Sequence, residues 1–246
     1  VKRIDKVVDF EDVLRTFLTK SIPQNTGNNN LPLSARTPLA TWIGLFLSLF
    51  GVPLIRQGVS YFYPNVSFTA SLWKESLIWL SAFTLLLLVV RGERLPLTSI
   101  GIGTCKWWKS ILWGFVVAVA CGAVGGVIAA MTHYGGGSVA AAFAKLPVWL
   151  LTLIVVRAGV VEELFYRGYA IERLQALGLN RYAAAVIPLL IFSFAHWTGG
   201  WANIAIALAL GGILAGFYLW RHDLVSNMIG HFLVDFVANV LPRLFS

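Results

Sequence analysis

Two adjacent carboxylates, Glu162 and Glu163, sit in the run VVRAGVVEELFYR at 155–167, which is otherwise apolar apart from Arg157 and Arg167. A charge near the centre of a bilayer costs roughly 2.5–3.5 kcal/mol on insertion scales, so such groups face a bundle interior or a wet cavity and point to function. Glu163 and Arg167, four residues apart, can pair along one helix face, whereas Glu162 is turned about 100° away. One carboxylate can then be structural and the other left free for chemistry. Two further pairs recur at the same spacing: Phe192 and His196 in FSFAH, and His231 and Asp235 in HFLVD. If helices bring them together, a carboxylate and two imidazoles are groups suited to proton transfer or to metal binding.

The elements that must position these residues are membrane helices. The chain has 246 residues, 58% hydrophobic and 12% charged, with a mean hydropathy of +0.76. That is well above the roughly 45–50% apolar content of soluble domains. The net charge of +8 does not indicate a nucleic-acid binder, because the Lys and Arg residues are scattered among loops between apolar runs. Cys105 and Cys121 match no zinc or disulfide spacing and read as free thiols.

Apolar runs predict spans at 42–55, 75–90, 107–131, 147 into the EE stretch, 182–197, 202–220 and 224–241, with a loop at 134–138. Residues 168–181 read as an interfacial helix or a continuation of the fourth span. The expected fold is an all-α polytopic membrane protein of about seven transmembrane helices with a conical or bundled core. Residues 1–37 read as a polar tail with a short surface helix and a linker, and 38–246 as the membrane domain. Lys and Arg crowd alternate loops, which predicts a cytoplasmic N-terminus.

The three patterns together resemble the CPBP intramembrane proteases, also called the CAAX protease or ABI (bacteriocin-processing) family, which includes the CAAX prenyl endopeptidases. The EExxxR motif matches Glu162, Glu163 and Arg167; FxxxH matches Phe192 and His196; HxxxN or HxxxD matches His231 and Asp235. The resemblance covers roughly 145–241 and implies an endopeptidase acting within a membrane, such as the bacterial cytoplasmic membrane. Its implied partners are the lipid bilayer and a peptide or protein, including prenylated CAAX-like C-termini.

Peptide hydrolysis needs an activated water, oxyanion stabilisation and a proton for the leaving amine. The assignment is Glu162 as general base, His196 holding the water, and Glu163 with Arg167 fixing the geometry. His231 is an oxyanion donor or a further ligand. Asp235 is protonated, orients His231 or binds a metal. Alternatively, Glu162, His196 and His231 could hold Zn²⁺ with an open fourth position; HExxH is absent, and the assignment leans to metal-independent catalysis.

Depth is the awkward point. If the fourth span stops near 167, Glu162 is about 8 Å from the inner end, with His231 about 12 Å and His196 about 21 Å in. Tilting, a cytoplasm-facing cavity, or an embedded turn at 197–201 could align them. The competing class is a non-catalytic polytopic protein, transporter-like, immunity or scaffold, that uses the polar core for binding. Arg157 either pairs with a carboxylate or lines the cavity, and His133 and His222 read as loop residues.

Overall fold

The computed structural model describes residues 39–64 and 67–245; the surface helix and linker expected at 1–37 lie outside the described residues. Among the described residues eight helices follow one another. They are α1 (Leu39–Phe62), α2 (Phe68–Leu87, wound as a π-helix over Leu88–Gly92), α3 (Trp107–Met131) and the short α4 (Gly137–Ala144). Next come α5 (Val148–Arg157, π-helical over Ala158–Ile171, then Glu172–Ala176), α6 (Arg181–Phe194) and α7 (Trp201–Arg221). The last, α8, covers Leu224–Asp235, with a π-turn over Phe236–Val240 and a last turn at Leu241–Leu244.

The fold is all-α and polytopic, with no strand among the described residues. Five helices, α1, α2, α3, α7 and α8, are long and apolar enough to cross a membrane. The expected count of seven adds α5, which carries the buried charges, and α6, which has only 14 residues. The loop expected at 134–138 is shorter, since α4 already begins at Gly137. Residues 168–176 continue the helix that bears the EE pair.

Local chemistry sets the helix starts. Ser67 accepts from the Ala70 N–H at 3.1 Å, and Asn180 accepts from the Tyr182 and Ala183 N–H groups, so each satisfies donors that a first turn leaves unpaired. Asp223 caps α8 in the same way and also accepts from the Ser110 hydroxyl on α3 at 2.8 Å. His222 (φ 52°) makes the tight joint between α7 and α8.

The outer helices turn Trp42, Phe46, Phe83, Phe115 and Val119 outward, as expected where lipid replaces water. At the centre, thirteen of the fourteen residues 158–171 are buried, and this segment touches α1, α2, α6, α7 and α8. Without a hydrophobic force between helices in lipid, small residues set their approach. A Cβ on Gly159 would come within 2.9 Å of Met228 O and the Phe232 backbone N, and one on Gly168 within 2.7 Å of Leu224. These contacts fix α8 antiparallel to α5, with 224 beside 168 and 228–232 beside 159.

Candidate active site

That register explains the depths. Glu162 lies 14 residues from each end of the continuous 148–176 helix, or about 21 Å from either at 1.5 Å per residue. The helix itself does not end near 167: charge does not stop it, because Arg167 and Arg173 are buried and paired. His196, 15 residues beyond the start of α6, is about 22 Å along it. Leu224 enters at the level of Gly168, about 9 Å past Glu162, and His231 lies about 10 Å further along α8, back towards the carboxylates. The three motifs thus meet at a common level along their helices, and a 3₁₀ turn over Trp197–Gly199 follows His196.

Phe192 ties them together. Its ring centroid is 4.7 Å from that of His196, 6.3 Å from that of His231 and 5.3 Å from that of Tyr166, while the Arg167 guanidinium lies over its face at 4.5 Å. The Glu162 charge acts on both imidazoles.

The two glutamates are engaged unequally. Glu163, fully buried, uses both oxygens: Oε1 accepts from Arg167 Nη1 at 2.7 Å and lies 2.8 Å from His231 Nδ1, and Oε2 accepts from Asn227 Nδ2 at 3.1 Å. The expected pairing of Glu163 with Arg167 is present, and Arg167 Nη2 also donates to Gly211 O at 3.3 Å. Glu162 is held through Oε1 only, by Arg157 Nη1 at 2.7 Å and by Arg56 Nη2 at 3.8 Å. No partner among the described residues occupies its Oε2.

Of the two roles left open for Arg157, pairing is the one observed. It also donates to both oxygens of Glu75, at 3.0 and 3.2 Å. In an α-helix, positions five apart differ by about 140° in direction, so Arg157 and Glu162 would not face each other. The wider π-helical winding that starts at Ala158, with its i→i+5 bonding, brings positions five apart towards one face.

His196 Nδ1 lies 2.8 Å from Phe192 O; a carbonyl only accepts, so Nδ1 carries the proton and the neutral ring offers a bare Nε2. His231 Nε2 is 3.6 Å from Asp235 Oδ2, within electrostatic reach but beyond hydrogen-bonding distance. Asn227, His231 and Asp235 fall at successive i, i+4 positions on one face of α8.

Three contributors escaped the sequence analysis: Glu75 and Arg56, which fell at the presumed ends of spans, and Asn227, one turn before His231. The intramembrane-charge argument that singled out Glu162 applies equally to the first two once their helices are seen to extend past them. His222 is a joint residue but not an idle one, since its Nε2 is 3.0 Å from Glu172 Oε1. Both cysteines are free thiols.

Glu162, His196 and His231 were the donors considered for Zn²⁺. Among the described residues no three His, Cys, Asp or Glu side chains gather as a metal group. Glu162 Oε1 is taken by Arg157 and His231 Nδ1 faces Glu163, which leaves Glu162 Oε2 and the Nε2 atoms of the two histidines as the donors a metal would need, and these are not gathered at metal-holding distance.

Residues 144–237 match the family model described as type II CAAX prenyl endopeptidase Rce1-like. No curated protein and no solved structure matches the chain. The matched segment runs from the end of α4 into α8 and contains the three motifs with the ion pair and rings that join them. Over residues 144–237 the chain is therefore similar to the type II CAAX prenyl endopeptidases, a match that supports the CAAX protease (CPBP) family.

Proposed function

We propose that the protein is an intramembrane endopeptidase in which Glu162 activates a water molecule. The reading rests on the unequal engagement of the two carboxylates: Glu163 is spent on three donors, whereas Glu162 keeps Oε2 available. Glu162 Oε2 takes a proton from water while the bare Nε2 of His196 accepts the water's other hydrogen. The hydroxide attacks the scissile carbonyl carbon, and the oxyanion accepts from the Nε2–H of a His231 imidazolium whose Nδ1–H is donated to Glu163. The C–N bond then breaks as the proton held on Glu162 passes to the leaving amine, giving a carboxylic acid and an amine. Of the roles considered for Asp235, the 3.6 Å approach to His231 Nε2 supports orienting that imidazole. Glu163, Arg167 and Phe192 hold the framework.

The substrate is a membrane-associated peptide or protein, and a prenylated CAAX-like C-terminus is the class that the family match suggests. The Lys and Arg distribution supports a cytoplasmic N-terminus, and the membrane proposed is the bacterial cytoplasmic one. The test is cleavage of a quenched peptide in detergent by wild type and by Glu162→Ala, His196→Ala and His231→Ala. Loss in all three supports the site, and undiminished cleavage in all three overturns it. Activity is expected to survive a chelator; abolition by chelator with recovery on adding Zn²⁺ would replace the glutamate mechanism with a metal one. No cleavage by wild type, together with peptide binding, would favour a non-catalytic role.

A further inference from the structure

Glu75 is the one acidic residue of α2, and its side chain is 12% exposed. Its two oxygens accept from two nitrogens of Arg157, Oε2 from Nε at 3.0 Å and Oε1 from Nη2 at 3.2 Å. The third nitrogen, Nη1, donates to Glu162 Oε1 at 2.7 Å. Other charges act on this trio from further off. Arg56 comes to 3.8 Å of the same Glu162 oxygen, Lys74 acts on Glu75, and Asp235 acts on both Arg157 and Glu162.

Held by Glu75 at two nitrogens, the Arg157 guanidinium is fixed in position and in plane. In that pose it meets Glu162 through one nitrogen and one oxygen. An arginine free to choose closes on a carboxylate with two parallel N–H···O bonds. Released from Glu75, Arg157 can therefore turn a second nitrogen to Glu162 Oε2, the oxygen assigned to the water. Tying α2 to α5 does not by itself call for these charges, since a well-packed apolar pair of similar volume serves a fold as well as a buried ion pair. A carboxylate in a membrane helix is also costly, which points to a use for it.

We infer that Glu75 is a positioning residue for the cleavage: by occupying two nitrogens of Arg157, it limits that arginine to one bond with Glu162 and keeps Oε2 open to water. The inference rests on the endopeptidase reading above. Arg157 supplies the positive charge beside the base, and Glu75 decides how many of its hydrogen bonds the base receives.

The experiment measures kcat and KM on a quenched peptide in detergent for wild type, Glu75→Gln, Arg157→Lys and Glu75→Gln/Arg157→Lys, each with its melting temperature. A lysine at that position keeps the charge but is a point donor that cannot form the two-pronged pair. With the arginine in place, Glu75→Gln is expected to lower kcat about 10-fold or more, the scale of one charge-assisted hydrogen bond, with KM near the wild-type value. In the Arg157→Lys background the same substitution is expected to cost no more than about 2-fold in kcat, the margin within which uncoupled changes add. A pair that only ties the helices together predicts equal losses in both backgrounds. Equal losses overturn the inference, as does an unchanged kcat in Glu75→Gln. If Glu75→Gln does not fold, Glu75→Asp, one methylene shorter and still charged, takes its place under the same two expectations.

Should wild type cleave no peptide, the endopeptidase reading fails and the reactivity of Glu162 decides this one. Dicyclohexylcarbodiimide, an apolar reagent that adds to carboxyl groups, is applied to wild type and Glu75→Gln, and labelling at Glu162 is followed by mass spectrometry. Labelling about 10-fold slower in Glu75→Gln supports the closed pair. Equal labelling in the two proteins would sink it.

Discussion

Replacing Arg167 with Ala should harm folding more than replacing Glu162, although the two residues are one helical turn apart. Arg167, 1% exposed, supports the fully buried Glu163 at 2.7 Å, caps Gly211 O and covers the Phe192 ring. Removing one partner of a buried ion pair costs about 3–5 kcal/mol. His231 and Asn227 still face Glu163, which puts the loss near the lower end, with the Phe192 contact adding about 0.5–2 kcal/mol. Glu162→Ala instead leaves Arg157 with two hydrogen bonds to Glu75 and forfeits one charge-assisted bond, about 1.5–3 kcal/mol. The difference of about 2 kcal/mol corresponds to roughly 4–8 °C in a chain of this length. Thermal unfolding of both variants in one detergent reads it directly. Equal melting temperatures would refute this division of labour. So would an Arg167→Met/Glu163→Leu double variant no more stable than Arg167→Ala, since the stranded carboxylate would then not be the cause.

Gly159→Ala should cost about 1–3 kcal/mol and depress cleavage as well, because the methyl would meet the α8 backbone at 2.9 Å and push His231 away; melting and kcat together check this. Asn227→Leu should lower stability by about 1–3 kcal/mol by leaving Glu163 Oε2 unpaired, and Asn227→Asp, which sets a second carboxylate there, should lower it further in the same melting assay. The hydrogen bond with Glu172 raises the His222 pKa above its ordinary value. This contribution is fully present below the unfolded value of about 6.5 and is lost as pH rises through the higher folded value. The melting gap between wild type and His222→Gln should accordingly shrink as pH is raised, and a gap constant with pH would contradict it.

The residues that carry the three motifs were legible because few polar types survive in apolar runs, so their spacing stands out. Fold class followed from hydropathy, and the pairing of Glu163 with Arg167 from the four-residue interval alone. The depth of the site was not legible, because it depends on a helix that continues through Arg167 and Arg173, and each is tolerated only by a partner distant in sequence or by the neighbouring turn. Glu93, which receives Arg173 at 2.8 Å, lies 80 residues away, and nothing local announces it. The pairing of Arg157 with Glu162 was hidden by assuming 3.6 residues per turn where the helix is more widely wound. Arg56 and Glu75 were missed because the ends of α1 and α2 were drawn at the first charge.

The central claim is that Glu162, with one oxygen held and the other available, activates the water. The most direct measurement is the kcat of Glu162→Gln on a quenched peptide, taken on protein that melts with wild type. A loss of about 10²- to 10⁴-fold, the usual share of a general base, is the result expected. Cleavage at the wild-type rate by that folded variant would contradict it.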